Sequence, residues 1–109
     1  MTPKDFETVV EYTMDQCRRV LLEKNEEYAR GGDRLHNFKR AADRLDCLPE
    51  AALLGMMVKH ETSIGDMVDD LHPYTKVTPF DLRKWDEKII DNINYLILLR
   101  GLVIERMTV

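Results

Sequence analysis

Apolar residues recur at Phe6, Val9, Val10, Cys17, Val20 and Leu21, the spacing of one face of a 3.6-residue helix, and the pattern continues to about Ala29 before Gly31 and Gly32 end it. Thr2 ahead of Pro3 and Asp5 is a helix start: a capping hydroxyl, a proline in the first turn, and an acid near the positive end of the helix dipole. The segment 30–37, with adjacent glycines and alternating charge, reads as a functional type of loop. A short helix from about Phe38 to Leu45 follows. Pro49 reopens the helical pattern, and Leu53, Met57, His60, Ile64, Met67, Val68 and Leu71 form a third stripe that His72-Pro73-Tyr74 stops. Thr78-Pro79-Phe80-Asp81 repeats the opening signal, and a last helix is predicted from there to about Arg106.

The last helix is apolar nearly all round between Ile89 and Ile104, which is the pattern of an element buried in a bundle or an oligomer interface. A monomer of 109 residues has little chain with which to cover it. The expectation is a single all-α domain over residues 1–109, a helical bundle of about four helices in a homodimer or higher homo-oligomer.

Composition narrows the function classes. The net charge is −4, from 16 basic and 20 acidic residues with interspersed signs, so phosphate-driven binding to duplex nucleic acid is not expected. Cys17 and Cys47 lack metal-type spacing and are too few for a disulfide scaffold, which fits a reducing, cytoplasmic setting. The first residues carry acids and no apolar run, so no secretory signal is expected. The longest apolar run, near Leu96 to Leu99, is far short of the ~20 residues that cross a bilayer, so no membrane role is expected.

Candidate chemistry lies where polar groups interrupt the apolar stripes. Steps of three or four from Val20 reach Lys24, Glu27 and Tyr28, placing a cation, an acid and a phenol on the inward face beside the glycine loop. Either the helix end emerges into solvent there, or that end of the bundle holds a ligand. On the third helix Lys59 and Ser63 share a face with Asp66, and His60 falls on the apolar stripe, as a hydrogen-bonded core histidine or as a ligand contact. Lys59 offers a compact charge to a phosphate, with serine and imidazole as oriented partners. Glu87, Asp91 and Asn94 line one edge of the last helix. A carboxylate at Asp91 needs a partner, which Lys24, Lys59 or a hard cation such as Mg²⁺ can supply.

The string Lys24-Asn25-Glu26-Glu27-Tyr28, the pair Asn37-Phe38, the stretch Met56-Met57-Val58-Lys59-His60 and the late Asp91-Asn92-Ile93-Asn94-Tyr95 resemble the small helical phage and prophage proteins described as nucleotide-modification-associated. Those proteins are in turn similar to the all-α nucleotide pyrophosphohydrolases of the MazG and dimeric dUTPase type. The resemblance implies a MazG-like bundle in a phage-encoded protein acting on nucleotides in the cytoplasm of the bacterial host cell.

It also implies a Mg²⁺ site built from a Glu-x-x-Glu and a second acidic pair, with the ion bridging phosphates while a carboxylate-activated water attacks. Glu23-x-x-Glu26 matches the first pair and Glu27 is a spare acid. The second pair corresponds to Glu87-x-x-x-Asp91, one residue longer, with Asp66-x-x-Asp69 and Asp43-x-x-Asp46 as alternatives of matching spacing. Under this reading Glu23, Glu26 and Asp91 are metal ligands and Glu26 and Glu27 are catalytic. Lys24, Tyr28, Asn37, Phe38, Lys59, His60, Ser63, Asn94 and Tyr95 contact the ligand. Without a metal, Lys24 and Lys59 stand as fixed charges, Tyr28 or Phe38 stacks on a base, and Asn37 or Asn94 reads its edge. The chain is then a counter-defence protein that sequesters a signalling nucleotide or binds a host protein.

Overall fold

The computed structural model describes residues 1–72 and 81–108, and these are helical throughout their regular structure, with no strand among them. Five α-helices follow one another: α1 (Pro3–Glu23), α2 (Asn25–Tyr28), α3 (His36–Leu45), α4 (Pro49–Asp69) and α5 (Leu82–Met107). The all-α expectation is met. Four helices are long, and the fifth is a single turn.

Local chemistry sets most boundaries. The Asp5 amide donates to Thr2 Oγ1 at 3.0 Å and the Thr2 amide to Asp5 Oδ2 at 3.1 Å, a reciprocal capping box at the start of α1. α1 was expected to run to about Ala29 but ends at Glu23. Lys24, at φ −92° and ψ 0°, sits in the bridge region and separates it from α2. Arg30–Gly32 form a 3₁₀ turn in which Gly31 and Gly32 have φ of 66° and 79°, values that a side chain would strain. The Leu35 amide donates to Asp33 Oδ1 at 2.9 Å, and α3 begins at His36, two residues ahead of the expected Phe38. Asp46 ends α3 in the left-handed conformation, at φ 52°.

Pro49 occupies the first turn of α4, as expected, and α4 ends at Asp69, before His72. The Thr78-Pro79-Phe80 start signal and the Pro73-Tyr74 stop lie outside the described residues. Asp81 caps α5 by accepting from the Lys84 amide at 3.0 Å.

Leu35, Phe38, Leu53, Met57 and Leu102 form the buried core, with Tyr95, Leu98 and Leu99 packed against it. This cluster joins the α3 region, α4 and α5, and Leu53 at its centre is fully buried. The most extensive packing is α4 on α5, then α3 on α4, with α1 laid along α5. Ion pairs fasten the ends. Arg106 donates twice to Glu50, at 2.8 and 2.9 Å, tying the start of α4 to the end of α5. Lys39 on α3 meets both Asp33 and Glu105.

Among the described residues, α1 and α5 each expose apolar side chains. The face of α1 that carries buried Cys17 continues through Met14, Val10, Val9 and Phe6, all exposed. On α5, Ile89, Leu96, Ile97, Val103 and Ile104 are exposed together with Arg100. No helix among the described residues is long and apolar enough to cross a membrane.

Candidate functional site

A cleft lies beside the break at Lys24. Were α1 continuous, Tyr28 would extend its line; instead α2 starts anew, with the Tyr28 amide bonded to the Lys24 carbonyl at 3.0 Å. Arg34 holds this turn in place. Its Nε donates to Asn25 Oδ1 at 2.9 Å, and its guanidinium carbon lies 5.4 Å from the centre of the Tyr28 ring, a cation–π contact. Between this corner and the helices α3, α4 and α5 is a cleft of about 310 Å³, the low end of the range for small-molecule sites.

Its walls differ in chemistry. Lys24 and Arg34 bring two cations, and Val20, Leu21, Met56 and Leu98 supply aliphatic surface. Tyr28, Phe38 and Tyr95 add aromatic rings; Asn37, His60, Asp91 and Asn94 add hydrogen-bonding groups. The His60 and Tyr95 rings lie 5.0 Å apart at a 49° tilt. Burial, then the charge of Asp91, then Tyr28, push the Tyr95 phenol above its ordinary value of 10.0, so at neutral pH it is an O–H donor. Asp91 makes no ion pair among the described residues, contrary to the lysine partnership considered from sequence.

Polar groups at the bottom of the cleft lack partners. Asn94 is 5% exposed, and neither its Oδ1 nor its Nδ2 is hydrogen-bonded; buried His60 Nδ1 is likewise unmatched. Leaving such a group unsatisfied costs roughly 1–3 kcal/mol. Buried carboxamides are rarely left without a partner, so Asn94 on the packed side of α5 points to a ligand.

Of the residues singled out from sequence, Lys24, Tyr28, Asn37, Phe38, His60, Asp91, Asn94 and Tyr95 come together around this cleft. Lys59 and Ser63 do not line it: Met56 and His60, one turn apart on α4, point inward, which turns Lys59 out to solvent. Glu23, Glu26 and Glu27 are exposed and also lie outside the lining. The expected metal set of Glu23, Glu26 and Asp91 is therefore not assembled, and no group of three or more His, Cys, Asp or Glu side chains among the described residues could hold a metal ion. Val20, Leu21, Lys24 and Tyr28 share the face that lines the cleft, and the three glutamates lie off that face. These residues do not fit the Mg²⁺ site that the resemblance implies, and no hydrolytic step through it follows.

Arg34 is a cleft residue that periodicity missed, because it lies in a loop with no helical register. Its signal was its place just after the glycine pair. Comparison with family models, curated proteins and solved structures finds no match to this chain.

Proposed function

We propose that this protein binds a nucleotide or a related phosphate metabolite in the cleft, with fixed cations receiving the phosphate. The observation that carries this reading is the convergence of Lys24 and Arg34 with three aromatic rings and an unpaired carboxylate on one cleft of about 310 Å³. A guanidinium whose Nε is already engaged keeps its two terminal nitrogens for a phosphate, in the planar fork that suits bidentate contact. The rings match the flat face of a base, and Asp91 can accept from a sugar hydroxyl, as acidic residues do in other nucleotide sites. A bare inorganic anion would use neither the rings nor the acid.

Charge-assisted hydrogen bonds contribute about 1.5–3 kcal/mol each, so Arg34→Gln weakens nucleotide binding by roughly 10- to 100-fold while leaving the corresponding nucleoside unaffected. Calorimetric titration of a nucleotide panel, with chelator and with Mg²⁺, tests this. Binding that survives chelation and returns the ligand intact supports a sequestering protein. Nucleotides and nucleosides bound alike, or Arg34→Gln bound as the parent, would sink the reading. Mg²⁺-dependent conversion to a monophosphate would replace it with the pyrophosphohydrolase alternative.

The uncovered faces of α1 and α5 favour a second proposal, a homo-oligomer in which copies of the chain cover one another. A helix stripe that outruns its own protomer needs a partner surface.

A further inference from the structure

We infer that Asn94 reads the ring of the ligand through a bidentate pair, so the ligand carries a planar heterocycle with a hydrogen-bond donor and acceptor side by side, as a nucleobase does. This rests on the nucleotide reading of the cleft and specifies which part of the ligand goes deepest.

Three observations carry it. Asn94 lines the cleft at 5% exposure, and both ends of its carboxamide are without a partner. Phe38, Met56 and Leu98 supply apolar surface to the same cleft, and no side chain among the described residues bonds either end of the amide. Finally, His60 Nδ1 is a further unmatched atom in the cleft wall, on a ring held against Tyr95.

A carboxamide presents one acceptor and one donor in a plane, the complement of an amino group beside a ring nitrogen or of a lactam N–H beside its carbonyl. Because neither end is engaged, the amide can turn over to match either order, while a ligand with two acceptors or none at that edge leaves a buried atom unpaired. Asn37 is exposed and can be satisfied by water, so it contributes much less discrimination. The mixed chemistry of the cleft then has an order: cations Lys24 and Arg34 for the phosphate, rings for the base faces, Asn94 and His60 for the base edge.

The test compares the four common ribonucleoside monophosphates with ribose 5-phosphate, which has the sugar and phosphate but no base. Titration calorimetry and thermal unfolding are run on the full chain and on Asn94→Leu, which keeps the branching of the side chain and removes both polar atoms. Wild type is expected to bind at least one nucleotide more tightly than ribose 5-phosphate. Asn94→Leu is expected to lose about 10- to 100-fold for that nucleotide, with ribose 5-phosphate unchanged. It should also melt above wild type when unliganded, because the unpaired amide is gone. Asn94→Ala covers the case in which leucine disturbs packing, with the same loss of base discrimination.

If nucleotides and ribose 5-phosphate bind equally, or if Asn94→Leu keeps the nucleotide affinity, base reading is overturned while phosphate binding stands. If neither kind of ligand binds wild type, the nucleotide reading and this inference fall together. An unliganded Asn94→Leu that melts lower, with binding unchanged, marks Asn94 as a packing residue and also overturns it.

Discussion

Val10→Asp tests whether the bare face of α1 is an interface between copies. The protein exposes 8367 Å², whereas a compact monomer of 12.8 kDa exposes about 6,300 Å². The surplus, about 2,000 Å², is more than twice what one partner gives to a standard interface and is on the scale of obligate homodimers. Shape agrees: the radius of gyration is 16.7 Å, against about 13 Å for a compact chain of this length. Val10 is 45% exposed, lies about 15 Å along the helix from Val20, and touches no part of the cleft.

In an isolated protomer Val10→Asp therefore costs under about 1 kcal/mol. In a dimer that buries this face it places an unpaired carboxylate in the interface, about 3–5 kcal/mol, and two-fold symmetry imposes it on both copies. Association should weaken by at least about 100-fold. Sedimentation velocity from low to high micromolar concentration measures this, with circular dichroism to confirm retained helix. Wild type sedimenting as a monomer throughout, or Val10→Asp dimerising as tightly as wild type, would refute the reasoning.

Three further outcomes follow from local structure. Gly55→Ala and Gly65→Ala each stabilise by about 0.5–1 kcal/mol, because both glycines lie inside α4 and an added Cβ meets nothing within 4 Å; urea melts would show it, and a fall in stability would contradict it. Leu53→Ala, at the fully buried centre of the core, costs about 2–5 kcal/mol by the same melts, and a loss under about 1 kcal/mol would place the core elsewhere. Hydrogen bonds from Arg106 hold the Glu50 carboxyl below its ordinary 4.5, and those from Lys39 hold Asp33 below 3.8. Because both are depressed in the folded state, their stabilisation is present above those ordinary values and is lost as pH falls through the lower folded ones. A melting-temperature profile should fall more steeply in acid for wild type than for Glu50→Gln, and parallel profiles would show that the pair is too exposed to matter.

The long helices were legible because their apolar positions repeat with the helical period and because Thr2-Pro3 and Pro49 mark their starts. The break at Lys24 was not legible. Residues 24–29 contain neither glycine nor proline, and the contacts of Arg34 with Asn25 and Tyr28 come from outside the helix. Residues that follow the helical register, Lys24, Tyr28, His60, Asp91, Asn94 and Tyr95, are where periodicity places them, whereas Glu27, which the same steps put on the inward face, is exposed and outside the cleft. Composition around Ile89 to Ile104 indicated an element covered on all sides, but among the described residues Ile89, Leu96, Ile97, Val103 and Ile104 are exposed.

The four-residue α2 and the glycine turn after it have a consequence for kinetics. A single helical turn cannot sustain itself in water, so this wall of the cleft is held by Arg34 and by its join to α1 rather than by its own hydrogen bonds. It can therefore open while the core of α3, α4 and α5 stays folded. Amide hydrogens of residues 25–32 should exchange with solvent long before those of α4. A ligand gripping Lys24 and Arg34 at one end and Asn94 at the other would fasten this wall to α5, so part of its binding energy would emerge as slowed exchange at residues that never touch it.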